Sequence, residues 1–88
     1  MKIRTQKGSM FPLNRPQQVW VGDTPEVMQT ALFAGQEMMA ITDDAGGFEL
    51  RYLGLIGSGY STMGEAIAAA PEFGRFVLEC LRCLIQDA

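Results

Sequence analysis

Residues 37–56 read EMMAITDDAGGFELRYLGLI. Two runs that alternate apolar and polar side chains flank Asp43-Asp44-Ala45-Gly46-Gly47, a stretch of turn-forming residues. Successive side chains of a strand point to opposite faces, and a short glycine-containing connection joins antiparallel neighbours. The pattern predicts a hairpin with strands near 37–42 and 47–56. Met39 and Ile41 share one face of the first strand. Phe48, Leu50 and Tyr52 share one face of the second, with Glu49 and Arg51 opposite. Past Tyr52 the alternation is lost, because Leu53, Leu55 and Ile56 make both faces apolar. That end of the strand is expected to be covered on both sides.

Around this hairpin the other elements fall into place by their local chemistry. Residues 2–6 alternate and read as a short strand, and 7–16 carry Gly8, Pro12, Asn14 and Pro16, which is loop chemistry. The run QQVWV at 17–21 is rich in β-branched and aromatic residues and reads as a strand. Asp23 or Thr24 as a cap, Pro25 at the first helical position and Glu26 at the positive end predict a helix over 25–34. Val27, Met28, Ala31 and Leu32 would form its apolar face, and Gly35 would stop it. Thr62 and Glu65 fit a capping box that opens a helix over 62–70. Pro71 should end that helix and, with Glu72, start a third over 72–86. The expected architecture is α+β: a small antiparallel sheet with helices packed on it, as one domain over 17–88 behind an arm at 1–16.

The last helix carries an excess of apolar surface. Arg75, Glu79, Arg82 and Gln86 form one polar stripe at about 100° per residue. The remaining residues from Phe73 to Ile85 fill roughly 220° of the circumference, about twice what a helix lying on one sheet needs. Self-association through Phe76, Leu78, Leu81 and Ile85, as a symmetric homodimer, is the expected use of the surplus.

A chain of 88 residues with 48% apolar and 19% charged residues has the composition of a single folded domain. No apolar run approaches the roughly 20 residues that span a bilayer, and the N-terminus lacks the apolar core of a signal peptide. An intracellular, cytoplasmic protein with reduced cysteines and no membrane partner is expected. The chain has no histidine. A Ser-His-Asp triad, a Cys-His pair and a histidine-based zinc site therefore cannot be built within one chain. The net charge of −3 is unevenly spread. Lys2, Arg4, Lys7 and Arg15 make the arm basic, whereas Arg51, Arg75 and Arg82 face ten acids in the rest of the chain.

Three features carry residue types that can do chemistry. In GLIGSGYSTMGE (54–65), Gly54 and Gly59 have the separation of a phosphate loop, but Tyr60 and Ser61 stand where its lysine and hydroxyl residue belong. The dinucleotide fingerprint also fails, since Thr62 replaces its third glycine. A modest anion held by Gly57, Ser58, Gly59, Ser61 and Thr62 is the reading that survives, against a plain strand-to-helix turn. Cys80 and Cys83 have metal-like spacing but lie late in a helix on its apolar side, where they read as small buried hydrophobes. Asp43 and Asp44 read as turn chemistry.

These observations predict no catalytic residues, cofactor or metal. The expected function is a small non-catalytic binding protein, an inhibitor or adaptor of the kind frequent in phages and mobile elements. It would act by occupying a surface of another macromolecule, with Trp20, Asp23, Glu26, Glu37, Asp43, Asp44 and Glu49 meeting a basic protein surface. Direct nucleic-acid binding is not expected, because the few basic residues sit in the arm without interleaved aromatics. The alternatives are an anion- or nucleotide-binding module at 57–62 and a minor structural subunit of a larger assembly.

Overall fold

Two dipeptides that are weak turn signals on paper organise the sheet. Ala34-Gly35 and Leu53-Gly54 all have positive φ, at 52°, 76°, 50° and 86°. Two successive residues in that region make the two-residue connection whose twist matches antiparallel strands. Each pair closes a hairpin, and with the wider Asp43–Gly47 turn they fold residues 28–60 into a meander. In the computed structural model, which describes residues 1–4 and 15–87, the strands are β1 (Met28–Phe33), β2 (Gln36–Thr42), β3 (Phe48–Tyr52) and β4 (Leu55–Tyr60). They form one four-stranded antiparallel sheet in the order β1-β2-β3-β4. Among the described residues one helix, α1 (Met63–Arg82), covers one face.

The α+β class and the central hairpin agree with the sequence reading, and several boundaries do not. The segment 25–34 is not a helix. Its start makes one turn, in which Val27 N and Met28 N both donate to the Thr24 carbonyl, and the chain then extends into β1. Residues 27, 28, 31 and 32 fit a helical period, but 31 and 33 also fit a strand. Pairing from Met28↔Ile41 to Phe33↔Gln36 decides between them, because each backbone group gains a partner on a neighbouring strand. The run 47–56 is two strands, broken at Leu53-Gly54. Residues 17–21 are not a regular strand: Gln18 adopts φ 59°, and only Val21↔Thr30 forms a bridge. The segment still lies along the outer edge of β1, with Gln18 N donating to Leu32 O and Val21 exchanging both bonds with Thr30. Residues 1–4 have no regular structure, and the rest of the expected arm from 5 to 14 lies outside the described residues.

Pro71 does not end the helix. It sits inside α1 and leaves the carbonyl one turn earlier without its usual donor, a fault that costs a free helix about 3 kcal/mol. Packing holds the helix together across it. Ala66, Ala70, Gly74 and Val77 recur every three or four residues, are buried, and press onto the sheet. The stripe is small and the sheet supplies the bulk: Ala31, Phe33, Met38, Ala40, Leu50 and Tyr52 rise from the covered face. Gly74 lies so close that an added Cβ would stand 3.2 Å from Met38 Cε and 3.7 Å from the Phe33 ring. On β4, a Cβ at Gly57 would stand 2.8 Å from the Phe73 ring. The helix ends at Arg82 with Cys83 as its cap, short of the expected 86, and Ile85 lies beyond it.

Tyr52 anchors this layer. It is 1% exposed, stacks edge-on against Phe33, and donates its hydroxyl to the Phe33 carbonyl. Burial pushes its phenol above the usual value. The folded state thus keeps the proton at a pH where the unfolded chain, near about pH 10, releases it. Stability from this group is complete below that pH and falls as pH rises through the folded value. Urea titrations at neutral and alkaline pH should show a loss that is smaller in Tyr52→Phe; an equal loss in both proteins would remove Tyr52 as the cause.

At the far edge, β4 is irregular. Phe48 pairs with Tyr60 but Leu50 pairs with Gly57, so β4 holds one extra residue across this step, where Gly59 has φ 96°.

Candidate functional site

Alternation in the sheet follows from which side chains α1 covers. Met38 and Ala40 face the helix on β2, so Glu37, Met39 and Ile41 face away from it. On β1 the outward side chains are Met28, Thr30 and Leu32; on β3, Glu49 and Arg51; on β4, Ile56 and Ser58. The register sets them in rows: Thr30, Met39, Arg51 and Ile56 run across all four strands, and Met28, Ile41 and Glu49 form a second row. Among the described residues no element covers this face. Ile56 is 61% exposed and Val21, beside β1, is 59% exposed. An antiparallel sheet with one wet side ordinarily carries polar residues there. This one mixes Thr30, Glu37, Glu49, Arg51 and Ser58 with Met28, Leu32, Met39, Ile41 and Ile56.

At the β1 side the face runs into a groove of about 300 Å³ lined by Arg15, Val19, Val21, Leu32 and Glu37. Along β3, Arg51 Nε donates to Glu49 Oε2 at 2.7 Å, so one cation and one acid on this face neutralise each other.

The structure separates the acids that the sequence grouped. Asp23, Glu26, Asp43, Asp44 and Glu49 lie at the end of the sheet where β1 begins and β2 ends, and Glu37 lies at the opposite end, by register with Leu32. Asp43 is committed to its turn: Oδ1 accepts from Ala45 N and Gly47 N, both at 2.8 Å. Trp20 packs on Phe33 with ring centroids 5.8 Å apart and is half-buried at the margin of the core. Among the described residues, no three histidine, cysteine or acidic side chains come close enough to hold a metal.

The glycine-rich stretch is placed differently from a loop. Gly57, Ser58 and Gly59 belong to β4, and Phe73 covers Gly57. Ser61 and Thr62 do form the capping box. Thr62 Oγ1 accepts from Glu65 N at 3.0 Å, and the Glu65 carboxylate accepts from Ser61 N at 2.7 Å. The helix start therefore already holds a carboxylate of its own, next to its positive end. Thr62→Ala should cost about 1 kcal/mol and raise amide exchange in the first turn of α1; unchanged exchange there would refute the cap.

Of the residues expected to self-associate, Phe76 and Leu78 are exposed on α1, whereas Leu81 packs partly against the core. The sequence reading gave Met28 and Leu32 to the apolar face of a helix, Ile56 to a strand end covered on both sides, and Val19 and Val21 to a strand, and it placed none of them on an open face; Ile56 is in fact exposed. Their signal was present in the hairpin: Met39 and Ile41 share a face, but opposite Met38 and Ala40, and either pair could have been the core side. No helix among the described residues is long and apolar enough to cross a membrane. No family model, curated protein or solved structure matches the chain. The class defined by the fold is thus architectural, among the described residues a four-stranded antiparallel meander with one helix on one face.

Proposed function

We propose that this chain is a small non-catalytic binding protein, an inhibitor or adaptor, which acts as a homodimer by occupying a surface of another protein. The observation that supports this reading is the sheet face that no described element covers: Met28, Leu32, Met39 and Ile41 neighbour one another on β1 and β2, Val19 and Val21 lie beside them, and Ile56 is exposed beyond Arg51. A contiguous apolar patch rimmed by charge is the usual mark of an interaction site. The rim is acidic at Asp23, Glu26, Glu37 and Asp44, with Glu49 held by Arg51, so the fitting partner presents an apolar centre within a basic surround. Competition with a polyanion for that basic surface is the simplest mode of inhibition.

Affinity capture from the native host tests this reading when wild type is run beside Ile56→Asp and Val21→Asp. Both sites are exposed, so the fold should survive the changes. The expected result is one partner held by wild type, released progressively as salt rises, and not held by either variant. Equal capture by the variants would sink the sheet face as the site, and salt-insensitive binding would sink the acidic rim.

A further inference from the structure

From Glu72 to Arg82 the outer surface of α1 carries four exposed charges in alternating order, Glu72, Arg75, Glu79 and Arg82, with Glu65 exposed in its first turn. Glu79 and Arg82 pair with each other, through Nε–Oε2 at 3.0 Å and Nη2–Oε1 at 2.6 Å. Glu72 and Arg75 form no ion pair among the described residues. The sequence − + − + reads as + − + − when reversed. A second α1 laid antiparallel therefore sets opposite charges at each level, whereas a parallel copy sets like against like.

The level of the symmetry axis follows from the spacing. Arg75 and Glu79 lie two residues either side of Val77, and Glu72 and Arg82 lie five either side. With a two-fold axis level with Val77, Arg75 of one chain meets Glu79 of the other about 3 Å along the helix from the axis. Glu72 meets Arg82 at about 7.5 Å. The two charges left unpartnered in one chain fall beside the ion pair already formed in its copy, in the order that extends it into a four-charge row. The same axis passes between Phe76 and Leu78, one residue to each side. These are 64% and 40% exposed, and at about 100° per residue they occupy opposite flanks of the charged stripe. In an isologous contact each then meets its own counterpart across the axis.

We infer that a second copy of this chain docks on α1, antiparallel, about a two-fold axis level with Val77, with Phe76 and Leu78 flanking the seam at the level of the axis and Glu72, Arg75, Glu79 and Arg82 fixing the register. The inference rests on the homodimer of the proposed function and adds its geometry. The layers become sheet, helix, helix, sheet. The two open sheet faces then point away from each other, and the assembly binds two partners at once.

Sedimentation of the full chain over a range of concentrations tests it, using Arg75→Glu, Glu79→Arg, the double swap R75E/E79R, and an equimolar mixture of the two single variants. All four positions of the row are exposed, so folding is kept and is checked by circular dichroism. Each single variant sets like charges across the axis twice and should weaken dimerisation at least about tenfold. The double swap should restore it. The mixture should form a heterodimer, which a purely intrahelical effect of the two charges would not produce. A wild type that stays monomeric overturns the dimer itself. A wild-type dimer that both single variants leave intact overturns this seam while leaving a dimer formed elsewhere. Partner capture by the Ile56→Asp and Val21→Asp variants reports separately on the sheet face.

Discussion

Gly74→Leu should lose about 3 kcal/mol or more of stability, a large share of the roughly 4–13 kcal/mol expected for 88 residues. The first carbon alone would stand 3.2 Å from Met38 Cε, and the rest of the side chain would enter space filled by Phe33 and Tyr52. The helix can take leucine only by lifting off the sheet, which would also strip cover from Ala66, Ala70 and Val77. Urea denaturation should show a much lower midpoint, or no cooperative transition at all. Gly74→Ala is the control. The gain in helix propensity, about 1 kcal/mol, opposes a squeeze against the flexible end of a methionine, so the change should be small. A leucine variant as stable as wild type would show that α1 does not rest on its small side chains.

The second large effect is at Tyr52. Tyr52→Ala removes a ring that is 1% exposed and its edge-on contact with Phe33, and leaves the Phe33 carbonyl without its hydroxyl donor. A loss of about 3–5 kcal/mol is expected from the cavity and the lost transfer energy. Tyr52→Phe keeps the ring and loses only the hydrogen bond, so about 1–2 kcal/mol should separate it from wild type. If both variants lost the same amount, the hydroxyl rather than the ring would be the anchor.

These two positions also show where sequence reasoning succeeds and where it stops. The hairpin around Asp43–Gly47 was legible because alternation, turn residues and register all point one way. The Thr62–Glu65 box was legible because its chemistry is local. Strand β1 was hidden by a pattern that fits two periods, and only its neighbour β2 resolves the ambiguity. The turn at Leu53-Gly54 was hidden because leucine rarely takes positive φ. Pro71 concealed most. Reading it as a stop cut α1 in two and split the stripe Ala66, Ala70, Gly74, Val77, which is the face that meets the sheet. With the stripe unseen, the side of residues 73–85 that meets the sheet had no pattern to mark it; Phe76 and Leu78, which the sequence reading gave to a second copy, are exposed. The acids were legible one by one, but their distribution between the two ends of the sheet depends on strand register. The open sheet face was half legible, since alternation says that two faces exist and not which one the helix takes.

The extra residue in β4 bears on how this protein behaves when concentrated. A meander has two borders, and a long, even border invites other chains to add to it without limit. Here residues 17–22 lie along one border, hydrogen-bonded to β1, and the other is a six-residue strand interrupted near Gly59. Neither offers a straight row of free amides and carbonyls. Growth by strand addition is thereby discouraged at both ends, so the associations proposed above would form on the two flat surfaces, where contact closes on a partner and stops.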